Sequence, residues 1–120
     1  MINSYKQLTV WQKAIDLVLQ IYKLTDPFPK SEVYGLTNQM RRAAVSIPAN
    51  IAEGSARGHR QEYCHFVRIA YASGAELETH LIIARQLGFG SPAKLQKAEA
   101  LLDEVMRMAN ALARTLSTRR

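Results

Sequence analysis

Four consecutive residues, Glu62-Tyr63-Cys64-His65, gather a carboxylate, a thiol and an imidazole. Glu-x-x-His is the unit that di-iron helical bundles use twice, with a further Glu from each of two other helices. Here the unit occurs once. Glu53 can add one carboxylate, but the set stays incomplete, so ordinary polar contacts between helices account for these residues better than a metal does. Cys64 beside His65 has the parts of a nucleophile and its base, yet sequence neighbours on a helix do not face each other. A packed cysteine at an interface is the simpler reading. No Ser-His-Asp spacing is recognisable. Glu53-Gly54-Ser55-Ala56-Arg57-Gly58 offers backbone donors to a phosphate. It matches neither phosphate-loop fingerprint and reads better as a turn between helices. These residues assign no catalytic role, no cofactor, no metal and no small-molecule substrate, and the expectation is a protein that is not an enzyme.

The basic residues are the stronger signal. The chain carries 16 Lys and Arg against 10 Asp and Glu, a formal charge of +6. From Met106 onward there are four arginines and no acid. A surplus of this size suits a polyanionic partner but also simple solubility.

The elements that position these residues are helical. At 120 residues the chain fits one domain, 1–120, and a chain of this length buries about two-thirds of its unfolded surface without disulfides or structural metals. Few prolines and glycines favour helices over strands and turns. The lone Cys64 excludes an internal disulfide and suits a reducing cytosol. No apolar leader is visible at the N-terminus and no stretch approaches the length that spans a bilayer, so a soluble, cytoplasmic protein without membrane contact is expected.

Apolar spacing marks four helices. The first spans about 9–25, with Trp11, Ala14, Ile15, Val18, Ile21 and Tyr22 on one face and a capping box formed by Thr9 and Gln12. Asp26-Pro27-Phe28-Pro29 ends it. The second spans about 36–56 and the third about 60–87, with Gly88 as the residue that closes it. Ser91-Pro92 reads as cap and first residue of the fourth, about 92–117. Short connections imply antiparallel neighbours, hence an all-α, up-down-up-down four-helix bundle.

Helical wheels add two faces. Gln39, Arg42, Ser46, Asn50, Glu53 and Arg57 form one stripe of the second helix; Glu62, His65, Ile69, Ser73, Glu76 and His80 form one of the third. Folding the helices about Gly58 sets Arg42 opposite Glu76, Ser46 opposite Ser73, Glu53 opposite His65 and Arg57 opposite Glu62. A polar seam that fixes register follows, in preference to two solvated outer faces. A third face carries Val45, Pro48, Ala49, Ala52 and Ala56 on the second helix and Cys64, Tyr71, Ala75 and Ile82 on the third. It is too apolar for water and predicts packing of copies into a homo-oligomer. Pro48 should bend the second helix.

One end of such a bundle collects Lys6, Arg57, Arg60, Arg114, Arg119 and Arg120. Two readings of that end stay open. It contacts RNA or DNA through phosphates without base selectivity, or it is a solvated, partly frayed tail on a protein–protein interaction scaffold that binds no nucleic acid.

The run from Leu36 to Gly54, LTNQMRRAAVSIPANIAEG, is long and unusual. It closely resembles the signature of the bacterial four-helix bundle family called 23S rRNA intervening-sequence proteins, also labelled S23 ribosomal protein. Val10-Trp11-Gln12-Lys13-Ala14, Phe28-Pro29-Lys30 and, in the third helix, Glu62, Phe66, Ala70, Ser73, Glu76 and Leu77 extend the resemblance over nearly the whole chain. It implies an all-α bundle assembled as a homopentameric barrel. Some members are encoded in insertions within 23S rRNA genes, and distant relatives include accessory proteins of diversity-generating retroelements. The family motif carries over Gln39, Arg42, Ser46, Asn50, Glu53, Gly54 and Arg57. His59 departs from the Ser or Thr that relatives commonly have there, which leaves the cap of the third helix in doubt.

Overall fold

A computed structural model describes residues 4–118. Four helices, α1 (Thr9–Thr25), α2 (Leu36–Ala56), α3 (Arg60–Leu87) and α4 (Pro92–Ser117), are joined by short segments; single 3-10 turns lie before α1, at Tyr5–Gln7, and between α1 and α2, at Lys30–Glu32. No strand occurs among the described residues. Each helix packs on two others: α1 on α2 and α4, α3 on α2 and α4. The helices build a body 49 Å long and little more than 20 Å across, with extents of 49 × 24 × 21 Å.

The helix ends follow local chemistry. Thr25, the last residue of α1, donates its hydroxyl to the Ile21 carbonyl at 2.8 Å, and the Pro27 and Pro29 segment stops the helix there. Gly88 closes α3 in the left-handed region at φ +77°. The Phe89 amide reaches the Ala84 carbonyl at 2.9 Å and the Gly88 amide reaches Arg85 at 3.1 Å, the paired bonds of a Schellman motif. Ser91 caps α4, its hydroxyl accepting from the Lys94 amide at 3.1 Å, with Pro92 in the first turn.

One cap differs from sequence expectation. Thr9 and Gln12 form no capping box. Leu8, in extended conformation, holds the cap position of α1, so Thr9 is already helical and one residue too late to cap. Gln12 instead donates to the Lys6 carbonyl at 2.9 Å, an acceptor that the preceding 3-10 turn presents. His59 does precede α3 without a side-chain cap bond, as its departure from Ser or Thr suggested.

The core draws on all four helices: Ala14, Leu17, Ile21 and Leu24; Met40, Ala44, Ile47 and Ile51; Val67, Ala70, Leu77 and Leu81; Leu95, Ala98, Leu102 and Val105. In α1 the buried line is turned from the one expected. Val10, Leu17 and Leu24 lie inside with Ala14 and Ile21, Ile15 is half-buried and Tyr22 is exposed. In α3 Val67 is fully buried while Tyr63 and Phe66 are half-buried. Both helices are apolar over more than one stripe, and tertiary packing selects among them. Pro48, assigned to the outward face of α2, is buried inside a helix that runs unbroken through it.

Gly54 lets α2 lie tightly against α3. A Cβ there would lie 2.7 Å from Phe66 Cβ and 3.2 Å from the Tyr63 carbonyl oxygen. Gly54→Ala should therefore destabilise the fold by about 1–3 kcal/mol, the cost of overpacking, despite a gain in helix propensity of about 1 kcal/mol. A shift of the urea midpoint to lower concentration checks this; a shift upward would mean the helices part at little cost.

Candidate functional site

The seam between α2 and α3 is built on short side chains. The Ser46 and Ser73 hydroxyls meet at 2.8 Å. Asn50, one turn along α2, donates its amide to Ser46 Oγ and to the Ser46 carbonyl, both at 2.8 Å. Ser73 is buried, so this contact satisfies polar groups that have left water. Toward the turn, Arg57 Nη2 lies 3.0 Å from Glu53, its Nη1 lies 3.7 Å from Glu62, and its guanidinium sits 4.9 Å above the Phe66 ring. Ser46 with Ser73 and Arg57 with Glu62 are thus joined as the helical wheels set them.

Two other pairings in that register do not form. Arg42 makes no ion pair with Glu76. Glu76 Oε2 lies 3.6 Å from Nε2 of His80, one turn along its own helix. Arg42 lines a groove with Tyr22 and Arg41. Glu53 pairs with Arg57 rather than His65, and His65 rests edge-on against Phe66. In both cases a partner four residues away on the same helix is nearer than one across the seam. Gln39 is exposed.

His80 is buried, at 5% relative exposure, and its Nδ1 has no hydrogen-bond partner. Burial pushes the imidazole below its ordinary value of 6.5, and the Glu76 carboxylate partly opposes the shift. Burial likewise raises the Tyr63 phenol, against a hydrogen bond from Ser55.

The Glu62, Cys64 and His65 group is dispersed. Glu62 faces Arg57, His65 faces Phe66, and the half-buried Cys64 donates its thiol to the Ala113 carbonyl of α4 at 3.4 Å. Among the described residues no three His, Cys, Asp or Glu side chains come together as metal ligands. The outward face of α2 and α3 keeps Val45 at 43% and Ile82 at 50% exposure, with Ala49, Ala56, Tyr71 and Ala75 also exposed and Ala52 half-buried. Cys64 is turned to its own chain, and Tyr71 lines a groove between α3 and α4 with Glu78, Asp103 and Met106.

The basic residues divide into engaged and free. Arg57 is held as described. Arg60 Nε and Nη2 donate to the Leu116 and Thr115 carbonyls at 3.1 and 2.6 Å, which satisfies the last turn of α4. Lys6 and Arg114 are exposed; Arg119 and Arg120 lie outside the described residues. A second basic group has no counterpart in the sequence reading. Lys23 of α1, Arg41 and Arg42 of α2 and Lys94 of α4 line two adjoining grooves that share Tyr22 and Arg41. These residues come from three helices, so no spacing in the chain brings them together. The Arg41-Arg42 doublet was the one local signal.

The family model of the 23S rRNA-intervening sequence proteins matches residues 6–111. Among solved structures, the chain is similar to a Bacteroides thetaiotaomicron protein with unknown function from the S23 ribosomal protein family. The two share 18% identity and a TM-score of 0.78 over 88% of this chain and 95% of that one. At that identity the likeness speaks to the fold. No curated protein matches in sequence. No helix among the described residues is long and apolar enough to cross a membrane.

Two measurements check the site's geometry. A double-mutant cycle with Ser46→Ala and Ser73→Ala is expected to give a coupling of about 0.5–1.5 kcal/mol. The same cycle on Arg42→Ala and Glu76→Ala should fall within about 0.5 kcal/mol of zero, and a larger value would restore that pair. For His80, the folded state holds the proton less tightly than the unfolded chain. Its contribution to stability is therefore complete above about pH 6.5 and declines as pH falls below it. On lowering pH from about 7.5 to about 5.5, the wild type should lose more stability than His80→Gln, measured by urea unfolding. Equal losses would assign the pH dependence elsewhere.

Proposed function

The chain belongs to the 23S rRNA-intervening sequence protein family, and from that premise we propose that it is a non-enzymatic, oligomeric bundle that associates with RNA or DNA through phosphate contacts. In this reading the helices run antiparallel, up-down-up-down, as a single domain, and five copies assemble in the cytoplasm. The cross-helix contacts of Ser46 with Ser73, Arg57 with Glu62, and Arg60 with Thr115 and Leu116 support the antiparallel order. The exposed Val45 and Ile82, on helices whose outward faces also expose Ala49, Ala56 and Ala75, support assembly.

The observation that carries nucleic-acid association is unpaired charge. The chain has a surplus of six positive charges, and Lys23, Arg42 and Lys94 are exposed without an acidic partner among the described residues. Long-lived pairing would neutralise such charges; left free, they attract a polyanion. The engagement of Arg57 and Arg60 within the chain favours a second reading, a protein–protein scaffold whose remaining charge serves solubility.

Salt separates the two. Affinity for single-stranded RNA should fall linearly in log–log form, with a slope of about −0.7 per phosphate neutralised, and show weak sequence preference. Absence of binding at low salt selects the scaffold. Light scattering should give a stable multiple of the chain mass. Ile82→Glu should dissociate it by burying an unpaired charge; a variant that stays assembled would remove that face from the contact.

A further inference from the structure

We infer that a nucleic-acid backbone docks in the grooves between α1 and α2, extended by the start of α4, with Arg41, Arg42, Lys23 and Lys94 as its phosphate contacts. The inference rests on the nucleic-acid reading above and gives it a site away from the Arg57 and Arg60 end.

Three observations converge there. The first is shape. Two adjoining grooves, of about 480 and 450 Å³, share Tyr22 and Arg41 as common walls. Cations gathered along one shallow groove add their fields at the same stretch of a bound backbone. The second is charge. Four cations line the grooves against one carboxylate, Asp26. Lys23, Arg42 and Lys94 are exposed and make no ion pair among the described residues.

The third is the state of Arg41. Its Nε donates to Thr25 Oγ1 at 2.9 Å, and the Thr25 hydroxyl is itself anchored on the Ile21 carbonyl at 2.8 Å. The guanidinium lies 4.4 Å over the Tyr22 ring. Among the described residues neither terminal nitrogen has a hydrogen-bond or ion-pair acceptor. A guanidinium fixed through Nε and one face, with its terminal donors free, loses little rotamer freedom on gripping a phosphate bidentately. Arg57 and Arg60 present the opposite case: their terminal nitrogens already serve Glu53, Glu62 and the Thr115 carbonyl. Asn38 adds a neutral donor on the groove wall, suited to a phosphate or sugar oxygen. No element here reads base edges.

The test compares two double variants by salt titration of binding to a labelled single-stranded RNA of mixed sequence. Arg42→Gln with Lys94→Gln alters two groove cations whose side chains make no ion pair among the described residues, so fold and subunit number should be unchanged by circular dichroism and light scattering. Lys6→Gln with Arg114→Gln alters the other end. The groove variant should flatten the log–log slope by about 1.4, two phosphates at about 0.7 each, and the end variant should leave it as in the wild type. A flattened slope in the end variant with none in the groove variant would overturn the inference while leaving nucleic-acid binding intact. A groove variant that changes subunit number would also overturn it, since the groove would then be a contact between copies. A wild type that binds no RNA at low salt would remove the underlying reading itself.

Discussion

The fold depends on how closely α2 lies against α3. Two serine hydroxyls 2.8 Å apart and a glycine with no room for a Cβ leave the helices a single depth and a single register. Neither feature adds much net energy, because a neutral hydrogen bond contributes about 1 kcal/mol once water is counted. Its effect is selective. A slip along the helix axis would bury unpaired hydroxyls and drive a larger side chain into the space at Gly54, each a cost that the observed register avoids. Asn50 supports the arrangement by donating to Ser46 from one turn away.

That register has consequences for charge. With α2 and α3 close at Ser46 and Gly54, Arg57 reaches Glu62 and Arg60 reaches the end of α4. Those arginines become part of the bundle's own structure. Arg42 has no counterpart across the seam and, with Arg41, borders α1. The surface therefore has a basic end where Arg57 and Arg60 are engaged while Arg114 is exposed, and a basic groove whose Lys23, Arg42 and Lys94 pair with no acid among the described residues, a division that net charge alone does not reveal.

The helix boundaries were legible because each break has a chemical cause: prolines after Thr25, Gly58 and Gly88 with positive φ, and the Ser91-Pro92 cap. The serine contact was legible because helical geometry and one turn position suffice to place it. Other features needed three dimensions. The buried line of α1 was misplaced because that helix offers apolar residues on adjacent stripes, and only packing decides that Leu17 and Leu24 go in while Tyr22 stays out. Arg42 was paired with Glu76 by sign, whereas distance assigns Glu76 to His80. The groove cations come from α1, α2 and α4, and no periodicity in the chain connects them.

The most direct test observes Arg41 itself. Its Nε–H bond to Thr25 gives the side chain a distinct environment, readable as a resolved arginine Nε–Hε signal in a heteronuclear spectrum. On titration with single-stranded RNA at low salt, that signal should shift or broaden before those of Arg57 and Arg60, and recover as salt is raised. An Arg41 signal that stays fixed while the RNA binds would contradict the account, since the preorganised arginine at the centre of the groove would then take no part.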